Sequence, residues 1–196
     1  MKIAAVKTYV SRLLKTLLRY IAWLIPVVIV VLAVMKIAKP KPPEYTQEPN
    51  KVMMAYMDLI LPFLPPSAQK PTPELWSGML KMFSNEDRKW AENHFAFLAW
   101  MGLEQDDRRF TRADELERTH AAFRFLSGHG PTQAFTIQKT EIAADGKSAV
   151  LRITNMRGTS EIQMIMEDGR WRFKGLWGIP SRFASLLASF EQKGIK

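Results

Sequence analysis

The chain has 196 residues and no cysteine. That excludes a disulfide framework and any thiolate metal site. Histidine is scarce: His94, His120 and His129 are the full set, so few side chains titrate near neutral pH. There is no Gly-rich phosphate loop and no zinc-ligand spacing. Acid is absent from one region in particular. Residues 1–43 carry Lys2, Lys7, Arg12, Lys15, Arg19, Lys36, Lys39 and Lys41 but no Asp or Glu. Those eight of the 28 basic residues precede every one of the 19 acidic ones, so they account for nearly all of the +9 net charge. The rest of the chain is close to neutral and has little field with which to recruit a polyphosphate. Nucleic acid is therefore not expected as a partner.

Charge is also missing from residues 21–35. Residues 20–38, YIAWLIPVVIVVLAVMKIA, would span about 28 Å as a helix at ~1.5 Å per residue, close to a hydrocarbon core of ~30 Å. Tyr20 and Trp23 stand where an interfacial aromatic belt belongs, and Lys36 can snorkel outward beyond Met35. Val30 falls inside the span, and Pro26 removes one backbone donor from it. A buried core helix and a cleaved signal peptide are the rival readings. In LAVMKIAKP, Met35 and Lys36 stand where a cleavage site wants small residues, which favours an uncleaved signal anchor. Five basic residues precede the span and three closely follow it. The positive-inside rule then puts the N-terminus in the cytoplasm and the remainder outside it, as in a bacterial inner-membrane protein with a periplasmic domain. Residues 1–19 are basic and amphipathic, suited to an anionic leaflet. The same pattern also fits a mitochondrial presequence, which leaves a mitochondrial inner membrane as the minority reading.

After the span, the prolines of KPKPPEYTQEP make residues 39–49 a semi-rigid linker. An α+β domain over residues 50–180 is expected next, then an amphipathic helix and tail over 181–196. NKVMMAYMDLILPFL reads as a helix capped by Asn50 and ended by Pro62. Its Met53, Met54 and Met57 serve either the core or a sticky partner face. A proline-rich loop follows. Thr72 caps a helix bearing Trp76, and Ser84 or Asn85 caps one running through Trp90, His94 and Trp100 to Gly102. EQDDRRF reads as a loop of mixed charge. Thr111 is expected to cap a helix that stops at Gly128. Beyond Pro131 the period changes to two. Four antiparallel strands in a meander turn at Asp145-Gly146, at Arg157–Thr159 and at Asp168-Gly169. In SRFASLLASFEQKG, Phe183, Leu187 and Phe190 lie on an apolar stripe that closes the domain or docks on a partner.

EDGRWRFKGLW interleaves Arg170, Arg172 and Lys174 with Trp171, Phe173 and Trp177. Alternation along a strand sends the aromatics to one face and the cations to the other. A base-stacking platform needs both on one surface. Trp171 and Phe173 are therefore expected in the core. Arg and Lys are expected to meet water or Glu161, Gln163 and Glu167 across the hairpin.

Helices followed by IQKTEIAADGKSAVLRI and IQMIMEDGRWRFKGLW resemble the nuclear-transport-factor-2-like (cystatin-like) superfamily. The likeness is strongest to bacterial envelope members in which Asp-Gly-x-Trp opens the last strand. The resemblance covers residues 50–177. It implies helices wrapped around a curved sheet, often with a cone-shaped cavity. One scaffold group in that superfamily, the membrane-anchored assembly subunits of type IV secretion channels, is similar in its layout of cytoplasmic tail, single span and extracytoplasmic domain. The resemblance also implies that a catalytic member would place His, Asp or Tyr in the cavity. Trp76, Trp90, His94 and Trp100 are the candidate pocket residues. Glu117 and His120 have the Glu-x-x-His spacing of a carboxylate-bridged metal site, but the second copy such a site needs is absent from the sequence. Ser127 and His129 read as a helix stop.

The expectation is an anchored, non-enzymatic scaffold or assembly subunit with no cofactor or metal. Its partners are the lipid bilayer and other membrane or envelope proteins, a homo-oligomer included. The alternative is a tethered small-molecule-binding or catalytic cone domain.

Overall fold

The computed structural model describes residues 46–63 and 71–194. The basic segment and the expected span, with Tyr20, Trp23, Pro26, Val30, Met35 and Lys36, lie outside the described residues. Among the described residues, no helix is long and apolar enough to cross a membrane.

Helix α1 (Pro49–Ile60) starts one residue before the expected cap. Proline at its first turn needs no backbone partner, and Glu48 takes the cap position. Asn50 instead accepts a hydrogen bond from the Thr140 hydroxyl. The helix is core on most sides: Val52, Met53, Tyr56, Met57 and Ile60 are buried, while Met54 is 52% exposed. Helix α2 (Pro73–Leu80) is capped by Thr72, whose hydroxyl accepts from the Leu75 N–H at 3.3 Å.

The single helix expected from Ser84 to Gly102 is two, α3 (Asn85–Asn93) and α4 (Phe95–Gly102). His94 lies between them at φ −111° and ψ 25°. Its Nδ1 stands 2.7 Å from the Trp90 carbonyl, which already accepts from the His94 N–H. A side chain that competes for a helix carbonyl is a local cause of such a break.

EQDDRRF is not a loop throughout: α5 (Asp107–Arg112) begins within it. Asp106 caps it by accepting from the Arg108 and Arg109 N–H groups. Thr111 is thereby absorbed into α5. Asp114 caps α6 (Glu115–His129), accepting from the Glu117 N–H at 2.7 Å. Helix α6 also passes Gly128 and stops at Gly130.

Four strands follow: β1 (Thr136–Ile142), β2 (Ser148–Asn155), β3 (Gly158–Glu167) and β4 (Arg170–Phe173). They pair antiparallel in the order β1-β2-β3-β4. Gly146 and Gly169 take φ of 65° and 73° at the two Asp-Gly turns, a conformation that glycine adopts without steric cost. Ala149, Leu151, Ile153, Ile162, Met164, Trp171 and Phe173 form the buried face. The described residues thus form an α+β domain of eight α-helices and one four-stranded meander.

Two features of the far end position the site. Residues 82–84 run beside β4: the Phe173 N–H donates to the Met82 carbonyl, and the Ser84 N–H donates to the Phe173 carbonyl, both at 2.8 Å. After β4 come a 3₁₀ turn (Leu176–Gly178), α7 (Ile179–Arg182) and α8 (Ala184–Gln192). Phe190 on α8 is buried against Phe97, Trp100 and Phe110, with ring centroids 5.8, 5.1 and 6.2 Å away.

Candidate functional site

The four expected pocket residues hold helices together. Trp76 packs edge-on against Phe95 at 5.8 Å. Trp90 stacks on His94 at 4.4 Å, and His94 Nε2 lies 4.0 Å from Glu191. Trp100 is buried; its indole N–H donates to Asp107 Oδ1 at 2.8 Å, and Lys193 sits 4.9 Å above its ring. Lys193 also bonds both Asp107 oxygens, at 3.0 and 3.1 Å. Together these contacts fasten the end of α8 to α4 and α5.

Among the other expected residues, Met53, Met57 and Phe190 are buried, Phe183 and Leu187 are half-buried, and Met54 faces outward. Phe183 packs on Phe125 and on His129. Glu117 pairs with Arg109 at 3.6 Å. Among the described residues, no group of His, Asp and Glu could hold a metal ion.

The hydrogen bond from Lys193, and then that from Trp100, hold the Asp107 carboxyl below its ordinary range. A folded-state pKa depressed in this way stabilises the fold above the unfolded value of about 3.9, and that stabilisation is lost as pH falls through the lower folded value. Acid titration from about pH 5 to 2 is therefore expected to lower the amide protection of α8, measured relative to the intrinsic exchange rate at each pH. Asp107→Asn is expected to remove that particular pH dependence.

Trp171 and Phe173 are buried, as strand alternation requires. Arg172 keeps one expected neighbour, Glu167, but does not meet water. It is only 8% exposed, because the start of α3 covers it: its guanidinium donates to Asn85 Oδ1 at 2.6 Å. Its acidic neighbours are Glu167 and Asp168, at 3.6 and 3.7 Å. Glu161 is instead taken by Arg152 on β2, at 2.7 Å. The register explains this difference, since it places Arg172 opposite Ile165 and Glu161 opposite Arg152.

The geometry that sequence reasoning missed lies where β3 outruns β4. The Lys174 N–H donates to the Gln163 carbonyl at 2.9 Å, and the chain then leaves the sheet. In an antiparallel ladder the peptide groups of alternate residues face the same side. Thr159 and Glu161 therefore present N–H and C=O toward the side on which Lys174 meets Gln163, with no further strand there among the described residues.

That bare edge borders a cleft of about 530 Å³, whose lining includes His129, Ser160, Glu161, Lys174, Trp177 and Arg182. Among the described residues, no carboxylate pairs with Lys174 or Arg182. The cleft wall therefore carries two uncompensated cations, while Glu161 is neutralised from β2.

A strained turn shapes this wall. Gly175, Leu176, Trp177 and Gly178 have φ of 91°, 44°, 56° and 74° in succession. For Leu and Trp this conformation costs on the order of 1–3 kcal/mol each and persists only where its surroundings enforce it. Here they do. Asp87 Oδ2 accepts from the Gly175 N–H at 2.8 Å and from the Ser84 hydroxyl at 2.6 Å. The Arg182 guanidinium donates to the Trp177 carbonyl. The Trp177 ring packs on Tyr56, Phe83 and Phe173, at 5.4, 5.3 and 5.0 Å. Gly130 is required there: a Cβ would stand 2.8 Å from Tyr56 Oη and 2.9 Å from Trp177 Nε1. Neither of those polar atoms has a hydrogen-bond partner of good geometry. Burial raises the Tyr56 pKa well above the phenol range, and the neighbouring Trp177 indole opposes this only in part. The traces of all this in the sequence are faint: Gly175 and Gly178 bracket Leu-Trp, and the RWRF strand is shorter than the one it pairs with.

Comparison with known proteins gives no matching family model, no matching curated protein and no matching solved structure. The class the fold defines is thus an α+β domain whose meander sheet leaves one interior strand partly unpaired.

Proposed function

We propose that the chain is a membrane-tethered, non-enzymatic assembly subunit. On this reading residues 20–38 anchor it in the bacterial inner membrane with the N-terminus in the cytoplasm. The α+β domain lies in the periplasm and receives an extended, acidic segment of another envelope protein along the bare edge of β3. The likeness to cone-shaped envelope domains, and to the layout of type IV secretion assembly subunits, belongs to this proposal.

The single observation that supports it most is the position of the Thr159 and Glu161 main-chain groups beside a cleft with uncompensated cations. An incoming strand takes affinity from main-chain hydrogen bonds and specificity from side-chain pockets. An unpaired edge of this kind is a liability unless something covers it. Lys174 and Arg182 favour a segment that carries carboxylates.

The docking half is tested by placing a photo-reactive residue at Ser160 in the full-length chain in intact membranes. One discrete envelope-protein adduct is expected, absent when the same group replaces Lys89 on α3. Identical adducts from both positions would count against the reading. The tether half is tested separately. Val30→Arg places a charge costing roughly 2.5–3.5 kcal/mol at the middle of the span, and carbonate-resistant membrane association is expected to fall. Unchanged association contradicts the anchor.

A second reading, a small-molecule binder, is favoured by the cleft volume. At about 530 Å³ it falls inside the range of roughly 300–1,000 Å³ typical of ligand pockets. It predicts a ligand that co-purifies with the domain and no adduct from Ser160.

A further inference from the structure

A second recess lies on the other side of β4, between that strand and the C-terminal end of α2. Its volume is about 230 Å³, several times the ~30 Å³ share of one water. Lys81, Arg170 and Arg172 all line it, beside an apolar wall that includes Val52, Met82 and Trp171. Lys81 and Arg170 have no carboxylate partner among the described residues.

Arg172 is the unusual member. It is 8% exposed, and its Nε is buried without a hydrogen-bond partner. Its other nitrogens are turned to Asn85, Glu167 and Asp168. With that Nε screened from solvent, Arg172 contributes charge to the recess wall and no direct hydrogen bond to an occupant. The main chain adds a further donor. Phe173 spends its N–H and C=O on Met82 and Ser84, at the edge of β4 away from β3. Trp171, two residues earlier, presents its N–H to the same edge, where Lys81 and Met82 border the recess.

From this arrangement we infer that the recess between β4 and α2 binds a phosphate group carried on an organic moiety or free in solution. Lys81 and Arg170 without carboxylate partners, together with a backbone N–H around one small volume, suit an anion with several oxygens better than a single carboxylate; Arg172 already faces Glu167 and Asp168. The apolar wall suits the organic part of an ester. Two sources supply this chemistry: a phospholipid headgroup and a soluble phosphate. The lipid source rests on the tethered reading above, whereas the soluble one does not.

The test uses the full-length chain in a neutral detergent. One arm titrates inorganic phosphate against chloride at matched ionic strength. The other counts lipids retained from mixed micelles of phosphatidylglycerol or phosphatidylcholine. Saturable binding is expected in at least one arm: phosphate alone identifies the soluble source, phosphatidylglycerol over phosphatidylcholine the headgroup. Arg170→Gln and Lys81→Gln are each expected to weaken it about tenfold, the loss of one charge-assisted hydrogen bond. Both residues are partly or fully exposed, so the fold is expected to survive, as unchanged thermal unfolding would show. Glu161→Pro, altered only at the cleft, is expected to keep full affinity, which separates failure here from failure of strand docking. No saturable binding in either arm, or binding undiminished in the Lys81→Gln/Arg170→Gln chain, overturns the inference.

Discussion

Replacing Gly102 with alanine is expected to destabilise the domain by about 3 kcal/mol, toward the top of the range for overpacking a core. A domain of this size then loses roughly 6–12 °C of melting temperature. Gly102 ends α4 where it meets α6. A Cβ there would stand 2.0 Å from the Ala121 carbonyl oxygen and 2.4 Å from its carbon. Both are backbone atoms inside a helix, so no side chain can swing aside. Relief requires α4 and α6 to separate, which pulls buried Leu98, Ala99 and Ala122 out of contact. Gly128 is the matched control. It also lies in a helix, but a Cβ on it meets nothing within 4 Å. Gly128→Ala is expected to be neutral or to stabilise by up to about 1 kcal/mol, through a less flexible unfolded chain. Thermal unfolding of the two variants side by side checks the contrast, and equal melting temperatures would refute the close helix contact.

The second large effect is expected from proline at Glu161. Its N–H faces away from β2, so removing that donor leaves the β2–β3 ladder whole. Proline is tolerated at such edge positions. Stability is therefore expected to change by less than about 1 kcal/mol, the ordinary scale for an exposed substitution without buried partners. Docking is expected to weaken at least tenfold, because the incoming strand loses a donor and meets the pyrrolidine ring. Ser160→Pro, one residue away, removes a donor that bonds to β2 and is expected to cost about 1–3 kcal/mol of stability, the scale of an acceptor left without its partner. The pair separates loss of docking from loss of fold. Adduct yield from a photo-reactive group at Ser181, another cleft residue, together with melting curves, reads both.

Local chemistry made much of this fold legible in the sequence. Thr72 and Ser84 cap their helices because a hydroxyl three residues before an N–H is within reach whatever surrounds it. Trp171 and Phe173 enter the core because alternation leaves them no other face. Where several short polar residues competed, the choice was not legible: Thr111 and Asp114 are both good caps, and only the existence of α5 decides between them. The burial of Arg172 depends on Asn85, which lies far away in sequence. Of the four expected pocket residues, Trp76, Trp90 and Trp100 lie on helices as read, whereas His94 falls at the break between two. However, periodicity does not say that Trp100 would be claimed by Asp107 and Phe190. The cleft was illegible for a different reason. It arises from unequal strand lengths and from four consecutive left-handed residues, neither of which any one motif announces.

The most direct test of strand docking is amide hydrogen exchange at Thr159 and Glu161 in the full-length chain. Exchange is compared between native membranes and the same protein purified away from its neighbours. Slow exchange of both amides in the membrane and fast exchange after purification is the predicted result. Equally fast exchange of both in the two settings would show that nothing pairs with the open edge of β3.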